Sequence, residues 1–427
     1  MSTHYLIGNR PASRPSSRML FIWLGFAAVL LLAPQILRSS LLHTHLTQMG
    51  IGMVLALSYN VLLGQSGMLS FGHAAFSGLG AFVSVHAMNL VGDGLLWLPL
   101  PLIPIVGALT GLGFAALIGY VITRTSGVTF AMITLGIGQM VYASSLMFPA
   151  FFGGEGGVST NRVYGDPWFE WDFGPQIQVY YLVAAWLFIC VAATFYLTRT
   201  PLGRLLNGVR DNEERIAFVG FNPHLLRYMA LMISGLFAGI GGALMAINFE
   251  IATDEVLSLH ESGAVLLFTF IGGTATFIGP MLGAVIGVLL TKFLPDYTAG
   301  WQMYLGLVFM LVVVYAPGGI SSLIKPGLGV LRQTMAQRRY ASFLGLALSA
   351  FALLAGTIIL VELMYHRAAG ATGPLHLFGM ALDHQGVMSW VIGVVILLGG
   401  MLTIKPAGRL LFERLSAGEP ALQGVPQ

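Results

Sequence analysis

The stretch M-A-L-M-I-S-G-L-F-A-G-I-G-G-A-L-M-A-I-N-F (Met229–Phe249) runs for 21 residues without a charge. A helix of about 20 apolar residues is long enough to cross the hydrocarbon core of a bilayer. Runs of the same kind recur at 19–37, 46–63, 67–91, 95–122, 128–148, 179–197, 263–271, 279–294, 300–316, 342–365 and 387–404. Composition agrees: 56% of the 427 residues are apolar and 9% are charged, against roughly 25% charged in a soluble domain. So few charges cannot cover a water-exposed surface, so lipid is the expected solvent. The expected fold is all-α: a polytopic bundle of about ten core spans plus two C-terminal spans, embedded in a lipid bilayer. The 55 glycines suit close helix packing where there is no hydrophobic drive between helices. The short pair 263–271 and 279–294 reads as two spans or as one broken hairpin, and 67–91, with His73 and several glycines, reads as irregular.

Arg10, Arg14 and Arg18 precede the first run, but no small-residue cleavage site follows it, so a retained span is expected rather than a signal peptide. Lysine and arginine set orientation. With the N-terminus inside and twelve spans, sixteen of the 20 basic residues lie in the cytoplasm. Arg38, Arg162, Lys292 and Arg367 fall outside or near the outer edge. The loops 149–178 and 250–262 carry eight of the 17 acidic residues and one basic one, and read as outer. Both termini are therefore expected inside, and miscounting one hairpin leaves that parity intact.

Several chemistries lack their residues. The three lysines, Lys292, Lys325 and Lys405, never follow a glycine, so the phosphate-cradling Gly-Lys-Ser/Thr element is absent. No His-Glu-x-x-His sequence or Cys/His cluster offers metal spacing, so no metal site is expected. Nor does a Gly-x-Ser-x-Gly nucleophile element occur in a strand–turn–helix context. The net charge of +3 reflects loops and gives no reason to expect nucleic acid. Cys190, alone in an apolar run, reads as a small packed residue. Charge in mid-membrane is expensive, so ionisable residues there are functional candidates: His73, His86 and the near-terminal Glu250, Lys292 and Glu362. No central carboxylate of the kind used in proton coupling appears.

The longest charged stretch between spans is T-R-T-P-L-G-R-L-L-N-G-V-R-D-N-E-E-R-I-A-F-V-G-F-N-P-H-L-L-R-Y (Thr198–Tyr228). Pro201 suits the first position of a helix. Asp211, Glu213 and Glu214 precede Ile216–Val219, and Gly220 suits a left-handed stop. A short amphipathic helix over about 211–219 is expected. It is either an ordinary solvated loop or a docking element for a soluble partner.

This stretch resembles the cytoplasmic segment of the branched-chain amino acid ABC transporter permease family, in its second, LivM-type subunit. Thr200, Pro201, Gly203, Arg204, Val209, Arg210, Asn212, Glu213, Gly220 and Tyr228 match the family pattern. Asp211 stands for Glu, Gly208 for Ala and Met229 for Lys. Leu57–Phe82 (L-S-Y-N-V-L-L-G-Q-S-G-M-L-S-F-G-H-A-A-F-S-G-L-G-A-F), Gly127–Leu135, Phe151–Gly157, Phe270–Ala284 and Tyr315–Ile320 resemble further family motifs, in family order. Thr129 replaces an aromatic, and Phe152 a threonine. The resemblance implies an ABC-importer permease core over 19–325, after a cytoplasmic tail at 1–18. The segment 326–427 forms an extension with two spans. It also implies a transport subunit of the bacterial inner membrane that is not itself an enzyme and holds no cofactor, ATP being bound by partner subunits. The implied partners are a second permease subunit, two cytoplasmic ATP-binding subunits and a periplasmic solute-binding protein. The cargo would be branched-chain amino acids or related small polar solutes such as urea or amides. Arg204, Arg210, Asn212, Glu213, Arg215 and Gly220 become candidates for coupling to the ATPase. Ser70, His73, Phe76, Gly272 and Gly273 become candidates for the translocation path. The rival expectations are a stand-alone secondary transporter and an intramembrane enzyme or structural scaffold.

Overall fold

A computed structural model describes the backbone of residues 17–37, 39–163, 171–274, 276–296, 298, 300–316, 318–323, 340–368, 375–377, 380–382 and 386–416. Side chains of 17–18, 340–344, 346–347, 350, 375–377, 380–382 and 404–416 are left aside. Residues 1–16 of the expected tail at 1–18, the 325/326 boundary and the side chains of Arg10, Arg14, Arg18, Arg38, Asp166, Glu170, Lys325, Arg332, Arg338, Arg339, Lys405, Arg409 and Arg414 thus lie outside the described residues, while 17–18 already belong to the first helix.

Each apolar run became a helix. The first six long helices are α1 (Ser17–Ile36), α2 (Ser40–Asn60), α3 (His73–Gly92), α4 (Ile103–Ile122), α5 (Gly127–Met147) and α6 (Gln176–Arg199). The charged loop then folds as α7 (Pro201–Asp211) and α8 (Glu213–Phe218). Six more helices follow: α9 (Pro223–Phe249), α10 (Leu259–Gly272), α11 (Gly279–Val288), α12 (Trp301–Tyr315), α13 (Tyr340–Ala368) and α14 (Val387–Ser416). Among the described residues, nine helical segments are long and apolar enough to cross a membrane, and three shorter apolar ones accompany them. This is a polytopic helical membrane protein.

Two run boundaries differ from expectation, each for a local reason. Residues 67–72 are not helical: α2 continues as one π-helical turn, Val61–Gln65, and after Ser66 unwinds before His73. Residues 95–98 are also non-helical, and regular helix begins only at Ile103, after Pro99 and Pro101. Proline lacks the N–H that a helix interior needs.

The chain separates into two compact units, Met1–Val265 and Leu266–Gln427. In the first, α9 is the central helix, with Ala230, Leu231, Ala238, Ala243 and Leu244 fully buried. Small residues let backbones touch. Gly107 and Gly111 of α4 face Gly235 and Gly239 of α9, and a Cβ on Gly235 would stand 2.7 Å from the Ala115 Cβ and 2.7 Å from the Gly111 oxygen. Both pairs have the four-residue spacing of membrane helix-crossing motifs. Reciprocal bonds tie α2 to α9: Ser58 Oγ donates to the Ser234 carbonyl (3.0 Å), and Ser234 Oγ donates to the Ser58 carbonyl (2.8 Å).

The glycine hairpin is built of α10, which enters the second unit at Leu266, and α11; α10, at 14 residues, is among the shorter apolar helices, whereas the segment Gly279–Asp296 is long enough to cross a membrane. Further along, α13 and α14 pack through Gly356, Gly393 and Gly400. A two-stranded hairpin, Leu375–Leu377 with Met380–Leu382, lies between them in the chain. Glu362 of α13 is buried and accepts from Thr298 Oγ1 (2.5 Å) and Tyr304 hydroxyl (2.8 Å).

Candidate functional site

The charged loop builds the arginine-rich end of the first unit. Thr200 caps α7: its hydroxyl accepts from the Gly203 N–H at 3.2 Å. Pro201 occupies the first helical position, as expected. The helix is strongly two-faced, burying Gly203, Leu206 and Val209 while leaving Arg204 and Arg210 exposed. The expected single helix at about 211–219 is corrected by Asn212. Its extended backbone (φ −160°) stops α7, and its side chain accepts from the Arg215 N–H at 2.9 Å to start α8. Asparagine is among the best N-cap residues. Gly220, at φ +96°, ends α8 in the left-handed region, with Phe221 N–H returning to the Ile216 carbonyl at 3.2 Å. The two helices close on one another where Gly208 admits Ile216. A Cβ there would come 2.6 Å from Ile216 Cδ1, the free end of a side chain that can turn aside to admit it.

The coupling candidates therefore divide. Arg204 and Arg215 are exposed. Asn212 and Gly220 shape the backbone. Glu213 turns inward and pairs with Arg227, which is 4% exposed and also donates to the Thr125 carbonyl at 3.1 Å. Arg210 donates to the Gly64 carbonyl at 2.6 Å and pairs with Asp211 at 3.0 Å. Phe218 (89%) and Val219 (66%), from the apolar run expected in the short helix, stand exposed, and so does Phe221 (46%), which reading the sequence alone missed. The signal for Phe221 is an aromatic directly after the helix-ending Gly220.

Behind this loop lies the unwound stretch. Tyr59 hydroxyl donates to the Ser70 carbonyl at 2.8 Å, and Thr134 Oγ1 accepts from Phe71 N–H at 3.3 Å. Ser70, His73 and Phe76 are all enclosed. His73 Nε2 lies 2.7 Å from Ser58 Oγ. Because Ser58 spends its one proton on the Ser234 carbonyl, His73 is the donor and so carries its proton on Nε2. Its Nδ1 has no hydrogen-bond partner among the described residues. A path past these three side chains requires the helices around them to part. In the second unit, Gly272 and Gly273 are backbone contact points. Gly273 sits at φ +98° against Gly318 and Gly319, and Gly272 sits against Gly279 and Gly283.

The opposite, acidic end is closed by a strand pair, Val158–Ser159 with Ile251–Ala252. Arg162 is its clamp. It pairs with Glu250 at 3.0 Å and donates to the carbonyls of Phe173 (2.8 Å), Gly174 (2.9 Å) and Asn248 (3.3 Å). His86 bonds the Phe151 carbonyl at 2.7 Å, which gives it a structural role. Among the described residues no group of three His, Cys, Asp or Glu is placed to hold a metal ion.

Residues 41–317 match the family described as branched-chain amino acid transport system / permease component. The chain belongs to that family. It is 29% identical over 296 residues to the high-affinity branched-chain amino acid transport system permease protein LivM of Salmonella typhimurium, covering 64% of this chain and 68% of the relative. It is 29% identical over 238 residues to the guanosine ABC transporter permease protein NupQ of Bacillus subtilis, covering 52% and 71%. With the fructose import permease protein FrcC of Rhizobium meliloti it shares 24% over 233 residues, covering 49% and 62%. No solved structure matches. The chain is thus an ABC-type permease subunit, and the extension that carries α13 and α14 follows the matched region. Within this permease, both the arginine-rich loop and the unwound stretch lie inside the matched residues.

Proposed function

We propose that this permease is the membrane-spanning subunit of an ATP-driven importer for branched-chain amino acids. It would sit in the bacterial inner membrane with both termini in the cytoplasm and its core over 19–325. Its partners would be a second permease subunit, two cytoplasmic ATP-binding subunits and a periplasmic solute-binding protein. The supporting observation is the arginine-rich loop. Three large apolar side chains, Phe218, Val219 and Phe221, stand exposed around a rigid left-handed turn. The helix pair beneath them is anchored to α9 by Glu213 and Arg227 and to the end of α2 by Arg210. Such a knob suits a soluble partner better than lipid, because exposed arginines surround it. Closure of the ATPase dimer would move this knob, and the helices would then switch between outward- and inward-open arrangements. The acidic end, held by Arg162, would receive solute from the binding protein. The similarity to LivM supports the choice of cargo.

Reconstituting the chain with its partner subunits in vesicles tests this reading. ATP-dependent uptake of leucine, isoleucine or valine is the expected result. Uptake driven by an ion gradient without ATP would refute it in favour of a secondary transporter. ATP-driven uptake of guanosine or fructose, with none of leucine, would refute the cargo alone.

A further inference from the structure

We propose that Arg210 is the transmission residue of this permease: it links the ATPase-facing helix α7 to the unwound stretch Gly67–Gly72 inside the bundle. The inference rests on the coupling reading above and assigns Arg210 an inward rather than a docking role.

The link begins with orphaned backbone. A helix end leaves carbonyls without intrahelical partners. Here α2 ends in a π-helical turn, Val61–Gln65, and then unwinds. Such turns inside helices frequently mark functional positions. Arg210 reaches across and gives the Gly64 carbonyl a charged donor at 2.6 Å, a shorter and stronger class of hydrogen bond. Asp211, bound to the same guanidinium at 3.0 Å, holds it in that pose. Gly67 makes the approach possible. Its φ of +72° and the 2.9 Å that would separate a Cβ from Arg210 Cγ both require glycine.

Beyond Gly67 the stretch has few degrees of freedom. Tyr59 grips Ser70 from α2, Thr134 grips Phe71 from α5, and a Cβ on Gly138 of α5 would lie 2.9 Å from the Gly72 backbone. Immediately after it, His73 opens α3 and bonds Ser58. A shift of α7 along its axis therefore pulls on Gly64–Gly67 and is passed to the start of α3. A plain helix-end cap would also satisfy the Gly64 carbonyl. Two features set this cap apart: it comes from the ATPase-facing helix, and the segment it holds leads directly into enclosed polar side chains.

The test uses the complete transporter in vesicles and scores transport per ATP hydrolysed by inserted complexes. Arg210→Gln is expected to keep the ATPase subunits associated and ATP hydrolysis within about twofold, while transport per ATP falls about tenfold or more. Gly67→Ala, which attacks the contact from its other side, is expected to give the same uncoupled pattern. Arg210→Lys retains a donor and is expected to lose less, about threefold; it carries the comparison if the glutamine variant accumulates poorly. Phe218→Asp tests the underlying docking reading, and its expected result is loss of ATPase association. A second readout follows the stretch itself. Cys190 is fully buried, so a Phe71→Cys thiol can be alkylated alone. Its rate should change on ATP binding, and Arg210→Gln should abolish that change. Normal coupling in Arg210→Gln and Gly67→Ala would overturn the proposal. So would loss of ATPase association in Arg210→Gln, which would return Arg210 to the docking surface.

Discussion

Gly239→Ala adds one methyl group at the crossing of α4 and α9, and the structure fixes what it meets. Its Cβ would lie 2.7 Å from the Gly107 carbonyl carbon and 3.2 Å from the Gly111 nitrogen. Carbon contacts settle near 3.5–4.0 Å, so the helices must part by about 1 Å. A gap of that size forfeits a quarter to a half of the dispersion attraction along the crossing. Overpacking of this kind costs about 1–3 kcal/mol, and alanine's better helix propensity returns about 1 kcal/mol. The net expectation is a loss of about 0–2 kcal/mol. Gly113→Ala, on the same α4, meets nothing within 4 Å and should show only the propensity gain. The two substitutions are chemically identical, so the propensity gain cancels and their difference isolates the crossing at about 1–3 kcal/mol, or several degrees in Tm. The single cysteine supplies the assay. Cys190 is fully buried, so a fluorogenic maleimide reacts only as the bundle opens during a thermal ramp. Equal midpoints for Gly239→Ala and Gly113→Ala would refute the argument that backbone contact holds this crossing.

Other substitutions should behave as their contacts dictate. Glu213→Gln removes the charge opposite Arg227, which is nearly fully buried. With Glu213 itself partly in solvent, a loss of about 1–3 kcal/mol is expected, measured by the same thermal assay. Asn212→Ala removes the cap between α7 and α8 and should cost about 1 kcal/mol, visible as faster amide exchange over Glu213–Phe218. Glu362→Ala strands the hydroxyls of Thr298 and Tyr304 and should cost roughly 2 kcal/mol, whereas Glu362→Gln keeps an acceptor and should cost under about 1 kcal/mol.

Much of this fold was legible in sequence because lipid-crossing helices announce themselves by length and lack of charge. Pro201 and Gly220 were equally plain, since each fits one backbone conformation. The irregular points were harder. Leu62–Gln65 is as apolar as the helix before it, and nothing local marks the π-helical turn there. Asn212 sits among charged residues, where a cap and a solvated side chain look alike. Arg210 was marked as a coupling residue on its resemblance, but its bond to Gly64 joins residues far apart in the chain, which no local pattern encodes. Arg162 was set aside as a stray outer charge, yet it gathers three carbonyls and a carboxylate.

That clamp and the Arg227 pair lie near the two ends of one helix, roughly 30–35 Å apart at 1.5 Å per residue. Between them α9 is held by Ser234 to α2, by Gly235 and Gly239 to α4, and by Gly242 against the Ser77 carbonyl of α3. A helix held along its whole length by backbone contact cannot bend locally; it moves with its neighbours or stays. The two ends should therefore differ in how far damage spreads. Arg162→Gln removes the guanidinium that orders Phe173, Gly174, Asn248 and Glu250, where Glu250 occupies the left-handed region at φ 57°. Amide exchange is expected to rise over 158–163, 171–176 and 248–252 and to stay unchanged over Glu213–Phe218, because the glycine crossings still fix the rod. Gly239→Ala loosens those crossings and should raise exchange at both ends together. If Arg162→Gln raised exchange over Glu213–Phe218 as well, the crossings would not be what fixes α9, and the two ends would be coupled by some route other than a rigid helix.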